Sequence, residues 1–289
     1  MVANRQAART PGGPRRITVA PAPPPVRHTI LADRRPSKEP PVPDRTSPAT
    51  PQLAPGDAPV RLLITAGPTH EPIDAVRFLG NRSSGRLGIA LADHAADLGW
   101  DVRLLLGPTP LTPRSSRVSL VRFRTTADLR ALLAQHLPWC DALIMAAAVA
   151  DYTPVVDEPG SAEPLTRSGK IRRADHPLTL RLQPTPDLLA ECSQRRRRGQ
   201  LLVGFALEPR DHLLDSARSK LARKNLDYIV ANPLETMDAD TIEATLLGAD
   251  HSARSTPGLI PKHDFAPWLL SALAPAIAAN LPLRDAASP

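Results

Sequence analysis

The chain has 289 residues, 34 of them proline, and a formal net charge of +7. Residues 1–56 hold eight arginines and one lysine against three acids, so they carry +6 of that charge and leave the rest nearly neutral. An affinity for nucleic acid or membrane surfaces, which a basic chain would suggest, therefore attaches at most to this leading segment.

Residues 1–56 contain proline runs such as PAPPPV (Pro21–Val26) and few large apolar residues, and are expected to be a disordered low-complexity extension. A dispensable tail, a start site placed too far upstream and a weak anion-binding arm all fit this composition. No apolar h-region follows the arginines, which argues against a targeting peptide. Residues 57–289 are long enough for one α/β domain with a substantial core. No apolar run there reaches the roughly 20 residues of a membrane span. Aromatic residues are 3% of the chain, so base stacking on an aromatic platform is not expected. Cys140 and Cys192 lie outside any CxxC pair and read as reduced thiols of a cytoplasmic protein.

In chain order, Arg61–Gly67 (RLLITAG) reads as a buried parallel strand and Leu87–Leu98, behind Ser-Ser-Gly, as a helix. Asp101–Leu106 is the second strand, Thr126–His136 a helix capped by Thr125 or Thr126, and Asp141–Ala147 the third strand. Tyr152–Asp175 is polar and proline-broken and reads as a long flap, and Leu178–Leu182 as an exposed or edge strand. The alternation resumes with helix Asp187–Arg197, strand Gln200–Phe205, helix His212–Lys224 and strand Asp227–Ala231. Thr241–Leu247 is a further strand and Phe265–Ala279 a closing helix. The pattern is a Rossmann-like, doubly wound, mostly parallel sheet. Ligands of such sheets bind beyond the carboxyl ends of the strands, which selects Gly67–Asp74, Ala147–Tyr152, Phe205–Glu208 and Asn232.

Several stretches there can carry chemistry. In GPTHEPIDAVRFLGNRSSGRLG (Gly67–Gly88), the turn Ser83–Gly88 offers backbone amides to an anion at a helix N-terminus, or is simply a tight turn with close helix packing. Asn81 is either a turn residue or a donor aimed at a developing oxyanion. In AAAVADY (Ala146–Tyr152), small residues let a ring lie on backbone, and Asp151 either accepts from a base or ribose or caps a turn. GKIRR (Gly169–Arg173) is a solvated basic face or a clamp on a triphosphate and its leaving pyrophosphate. Lys220 and Lys224, four apart, share one helix face and are either plain surface lysines or the two sides of a polyanion site. Arg195–Arg198 reads as a solvated helix end.

Taken together, GPTHEPIDAVRFLGNRSSGRLG, AAAVADYTP, GKIRR, PTPDLLA, VGFALE and ARSKLARKNLDYIVAN, in that order over residues 61–281, resemble the phosphopantothenate–cysteine ligase family of coenzyme A biosynthesis. The resemblance implies a dimer that joins 4′-phosphopantothenate to L-cysteine through an acyl-nucleotide, releasing pyrophosphate and a nucleoside monophosphate. AAAVADY and KIRR look like the bacterial, CTP-using form. It implies that Asn81 serves turnover of the acyl-cytidylate with cysteine and Lys170 its formation. It places Met145, Ala146, Ala147, Asp151, Gln183, Pro184, Thr185, Pro186, Phe205, Lys220 and Lys224 along the nucleotide. Gly67, Ser83, Ser84, Gly85 and Gly88, with Asn81, are the expected phosphate and substrate contacts. Mg²⁺ would bridge phosphate oxygens, with no protein ligand assigned. The cysteine amine is the nucleophile, so no catalytic Cys is expected. No flavin is expected either, because 56 residues stand where the bifunctional members carry a flavin-dependent decarboxylase, and a separate phosphopantothenoylcysteine decarboxylase is the implied pathway partner. GFALEPRD and DADTIEATLL depart from the family pattern. The competing classes are a nucleotide-dependent oxidoreductase, for which no GxGxxG closely follows Ile64, and a non-catalytic nucleotide-binding protein.

Overall fold

The computed structural model of the protein describes residues 59–155, 169–173, 175, 177–237 and 239–281. The expected extension over 1–56 and the middle of the expected flap lie outside the described residues.

The apolar run after Val60 forms β1 (Arg61–Ala66), buried from Leu62 to Ala66. A short hairpin, β2 (His70–Pro72) and β3 (Phe78–Gly80), then precedes α1 (Arg86–Asp97). β4 (Asp101–Leu106) follows, and β5 (Val118–Arg122) pairs parallel with it. The sequence reading missed β5. Its connection, GPTPLTPRSSR (Gly107–Arg117), holds three prolines, so no helix forms there to announce the crossover. Polar groups hold this connection instead: Asp93 on α1 accepts the amides of Arg114 and Ser115, and Arg122 donates to the carbonyls of Thr109 and Leu111.

α2 (Thr126–His136) starts at a full capping box, in which Thr125 and Asp128 exchange side-chain bonds with each other's amides. β6 (Ala142–Met145) leads to a second ribbon, β7 (Tyr152–Pro154) paired with β8 (Leu182–Pro184). The expected strand Leu178–Leu182 is thus corrected: only Leu182 belongs to a strand, because pairing with Thr153 and its neighbours centres on Gln183. α3 (Leu188–Arg195), capped by Asp187, β9 (Leu201–Glu208), α4 (Leu213–Arg223) and β10 (Tyr228–Pro233) complete the alternation. The single strand expected over Thr241–Leu247 is two. β11 (Thr241–Ile242) pairs with β14 (Ile260–Pro261), whereas β12 (Thr245–Gly248) joins the main sheet beside β13 (Ala253–Ser255). Ala244 turns into the core at the break, where its amide donates to Thr256 Oγ1. α5 (Lys262–Asn280) is the last element among the described residues.

The main sheet runs β13-β12-β10-β9-β6-β1-β4-β5, with the six strands from β10 to β5 parallel. Strand order reverses between β1 and β6, which makes their carboxyl ends the switch point of a doubly wound sheet. One apolar layer joins α1 and α5 to the sheet through Leu91, Ala92, Phe265, Leu269 and Leu273. The other joins α2, α3 and α4 through Leu129, Leu133, Leu188 and Leu221. Each fully buried leucine contributes on the order of 1.5–3 kcal/mol of burial, so this two-sided packing fixes the strand ends on which the loops stand. Gly88 sits on the buried face of α1, where an added Cβ would lie 2.4 Å from Ala66 Cβ. The missing side chain lets α1 press against β1.

The arginines of Arg195–Arg198 correct another expectation, that of a solvated helix end. Arg196 is ion-paired with Asp227, which also accepts the Leu202 amide at 2.7 Å. Arg197 donates to Cys140 O at 2.9 Å and to Asp141 Oδ1 at 3.1 Å. Two of the four therefore clamp the amino ends of β6, β9 and β10.

Candidate active site

The loops leaving β1 and β6 run side by side at the switch point. The Thr69 amide donates to Ala148 O at 3.1 Å and the Ala148 amide to Gly67 O at 2.9 Å. Two threonines fasten the pair: Thr65 Oγ1 accepts from the Ala147 amide and Thr69 Oγ1 from the Ala150 amide. Gly67 and Gly85, both at positive φ (78° and 77°), approach one another so closely that a Cβ on Gly85 would meet Gly67 Cα at 3.4 Å. Gly85 is the N-cap of α1, carries no capping side-chain bond, and is followed by no acid in the first turn. The Arg86 amide reaches Ser84 Oγ at 3.5 Å, and the next amides of the first turn, those of Leu87 and Gly88, are open to an anion. Ser83 and Ser84 flank this turn, and Thr109 Oγ1 donates to Ser84 O at 3.0 Å.

Asn81 lies just ahead, with its side-chain amide donating to Val149 O at 3.2 Å. It thus ties the α1 turn to the AAAVADY loop. Ala150 O accepts from Thr185 Oγ1 at 2.6 Å and Asp151 O from the Thr185 amide at 2.9 Å. β7–β8 pairing sets Tyr152 opposite Pro184 and Thr153 opposite Gln183. The segments Ala146–Asp151 and Gln183–Pro186, 32 residues apart in sequence at their nearest, are thereby one surface. Asp151, Gln183, Pro184 and Pro186 are exposed on it, and Met145 is buried in the α2–α4 layer.

The next residue, Asp187, continues the surface to α4. It caps α3 by accepting from the Ala190 amide, and it accepts from Lys224 at 2.9 Å. Lys220, one turn earlier, is bonded to Glu208 at the end of β9, which also accepts from Ser216. The Lys220 hydrogen bond holds the Glu208 carboxyl below the ordinary carboxylate range. Phe205 does not share their side of the sheet. Its half-buried ring packs in the opposite layer, tilted against Phe265 at 6.5 Å.

Lys170 is approached from another direction. Asp74, 1% exposed, receives the amides of Val76 and Arg77 on Oδ1, and Arg77 Nε and Nη2 on Oδ2. The same Oδ2 accepts the Ile171 amide at 3.1 Å. The Ala75 amide donates to Gly169 O, and Arg77 Nη2 to Ile171 O, both at 3.1 Å. The Arg77 side-chain bonds first, then the backbone amides, hold the Asp74 carboxyl far below the usual range against the opposing effect of burial. Sequence reasoning reached the segment containing Asp74 but gave neither it nor Arg77 a role. An acid three residues before an arginine in a strand-end loop was the available signal. Glu71 was missed as well: it is buried and accepts from the Thr126 amide and hydroxyl, locking the start of α2. Burial pushes the thiols of Cys140 and Cys192 up to about 12, so both remain protonated core groups.

Comparison with known proteins identifies the family. The model of the DNA/pantothenate metabolism flavoprotein C-terminal domain matches residues 58–276. The coenzyme A biosynthesis bifunctional protein CoaBC of Bacillus subtilis is 39% identical over 202 residues, 68% of this chain and 47% of that protein. A protein of an unknown prokaryotic organism, named cysteine/cysteine sulfinic acid decarboxylase, is 46% identical over 175 residues, 61% of this chain and 46% of that protein. The chain thus spans about half the length of these curated relatives. The crystal structure of the C-terminal domain of a CoaBC protein superposes with a TM-score of 0.62 at 33% identity, over 76% of this chain and 96% of that one. The chain belongs to the DNA/pantothenate metabolism flavoprotein C-terminal domain family, the family of the phosphopantothenate–cysteine ligases that its six motifs resemble.

Proposed function

We propose that the protein is a phosphopantothenate–cysteine ligase that uses CTP. The observation that carries the proposal is the continuity of the site. An open helix N-terminus, Asn81, the Ala146–Asp151 loop, the Gln183–Asp187 segment and two lysines of α4 are joined by hydrogen bonds into one strand-end surface. Lys170 is held beside it through the hairpin loop that precedes Asn81.

In the first half-reaction a carboxylate oxygen of 4′-phosphopantothenate attacks the α-phosphorus of CTP, and the bond to the departing pyrophosphate breaks. Lys170 draws charge from the leaving group, while Lys220 and Lys224 hold phosphates from the α4 side. The base and ribose lie on the small-residue loop, with Asp151 and Gln183–Pro186 as the polar and shape contacts. In the second, the amine of L-cysteine attacks the acyl carbon, loses a proton, and CMP leaves. Asn81 donates to the oxygen on which charge develops. Mg²⁺ belongs to the triphosphate in this scheme; among the described residues no three His, Cys, Asp or Glu side chains gather into a metal cluster. No step needs flavin.

A homodimer is part of the reading. Val76, Phe78, Tyr152 and Leu182 stand exposed on the two adjacent ribbons (60%, 45%, 53% and 42%), and we assign the subunit contact to them. We also infer a cytoplasmic enzyme with a separate decarboxylase as pathway partner; among the described residues no helix is long and apolar enough to cross a membrane.

The test is pyrophosphate release from the purified protein given 4′-phosphopantothenate, cysteine and Mg²⁺, with CTP and ATP in parallel. Release that requires phosphopantothenate and strongly prefers CTP is the expected result. Preference for ATP would keep the ligase and discard the base assignment. Silence with both would remove the ligase reading.

A further inference from the structure

Lys170 differs from Lys220 and Lys224 in how it is held. The two α4 lysines are each neutralised by a carboxylate on a neighbouring element. The Lys170 side chain is exposed and makes no hydrogen bond or ion pair with any described residue, yet the backbone on both sides of it is fixed. Gly169 O is bonded to the Ala75 amide, the Ile171 amide to Asp74 Oδ2, and Ile171 O to Arg77 Nη2. These bonds span 94 to 97 residues of sequence for the Arg77 and Asp74 side chains, so no local turn accounts for them.

We propose that Asp74 and Arg77 are positioning residues for Lys170, a pair whose work is to present that ammonium to the nucleotide before any nucleotide is bound. The inference deepens the ligase reading and rests on it. Asp74 is suited to the task because its two oxygens divide the labour. Oδ1 is saturated by the amides of its own hairpin, which fixes the carboxylate, and Oδ2 is left for Arg77 and Ile171. Arg77 completes the clamp by grasping Asp74 and Ile171 O with one nitrogen. A lysine carried on a long connection loses conformational freedom when it engages a triphosphate. Fixing its flanking backbone beforehand removes part of that cost, the general advantage of preorganisation. The hairpin that supplies the clamp also ends at Gly80, next to Asn81. One loop thereby places the residue for acyl-cytidylate formation and carries the residue for its turnover.

The experiment compares wild type, Asp74→Asn, Arg77→Gln, Lys170→Gln and Asp74→Asn/Lys170→Gln as full chains, each first checked for an intact melting transition. In the first arm the nucleotide-free proteins are digested with trypsin, and cleavage after Lys170, Arg172 and Arg173 is followed by peptide mass spectrometry. Asp74→Asn is expected to raise cleavage there about tenfold or more, the scale of one lost hydrogen bond to a charged group, and Arg77→Gln less, because Asp74 still accepts from Ile171. Cleavage at the wild-type rate in both variants overturns the proposal. In the second arm pyrophosphate release is measured. Asp74→Asn is expected to lower kcat by about tenfold to a hundredfold, the cost of a misplaced catalytic group. It should add nothing in the Lys170→Gln background. Additive losses in the double variant mean a general structural role and equally overturn it. If wild type releases no pyrophosphate, the ligase reading has failed, and the trypsin arm still decides whether the pair holds the Lys170 segment. Arg77→Gln carries both arms if Asp74→Asn does not fold.

Discussion

Lys224 Nζ lies 2.9 Å from Asp187, the residue that caps α3, while Lys220 on the same face of α4 is bonded to Glu208. Without nucleotide, neither charge is free. A triphosphate arriving here exchanges carboxylate partners for phosphate, so binding measures a difference between two ion pairs. Lys220→Gln and Lys224→Gln are each expected to weaken CTP binding about tenfold, at the low end for a hydrogen bond to a charged group. Glu208→Gln, which releases Lys220, is expected to tighten binding or leave it unchanged. Calorimetric titration of CTP decides; unchanged affinity in Lys220→Gln would take that residue out of the site.

Asn81→Asp separates the two half-reactions. The side chain keeps its size, loses the amide donor that reaches Val149 O, and gains a charge where an oxyanion would form. Pyrophosphate release should persist while phosphopantothenoylcysteine formation falls by about a hundredfold or more, as for loss of an oxyanion donor. Mass spectrometry of quenched reactions should then show accumulated acyl-cytidylate. Loss of CTP binding itself would contradict the assigned role.

Gly88→Ala tests the approach of α1 to β1. The new methyl would lie 2.4 Å from Ala66 Cβ, and neither partner is the end of a flexible side chain. The helix must shift, at a cost of about 1–3 kcal/mol for overpacking a close-packed contact. Because the same helix carries the open amides after Gly85, the Michaelis constant for the phosphate-bearing ligand should rise together with the loss of stability. Urea denaturation and initial rates measure the two effects.

Acid should single out Asp74. Its folded-state carboxyl is held below the ordinary value of 3.8, chiefly by the Arg77 hydrogen bonds. A depressed carboxyl stabilises the fold fully above its unfolded pKa, and this contribution is lost as pH falls from there through the folded value. Between about pH 5 and about pH 3 the urea midpoint of wild type should therefore drop further than that of Asp74→Asn. Equal drops would mean that Asp74 does not titrate differently in the folded chain.

The strands of the sheet centre were legible because both faces are buried. RLLITA, DVRLLL and LLVGFALE are nearly unbroken apolar runs, and such runs between helices of 3.6 period leave few alternatives. β5 was not legible. It is an edge strand with the burial of one face only at Val118, and a proline-rich connection replaces the helix that would have marked it. The small ribbons escaped for a different reason: each strand is three residues, and its pairing is set by a partner as many as 32 residues away. Among site residues, Asn81 and the lysines stood out by motif. Asp74, Arg77 and Glu71 did not, because their meaning lies in contacts with Ile171 and Thr126 that no local pattern encodes. The arginine run misled in the same way: composition suggests solvation, and only the fold brings Asp227 and Asp141 to it.

Those arginine clamps also divide the molecule by rim. Arg196–Asp227 and Arg197–Asp141 secure the feet of β6, β9 and β10, while the loops that carry Gly67, Asn81 and Ala146–Asp151 leave the tips of β1 and β6. Durability and chemistry are thus lodged at opposite edges of the sheet. A designer seeking a hardier protein can rebuild the lower rim, for instance with a better packed substitute for a semi-buried ion pair, and leave turnover where it was. Conversely, the upper rim can be retuned for another base or acid without undermining the foundation.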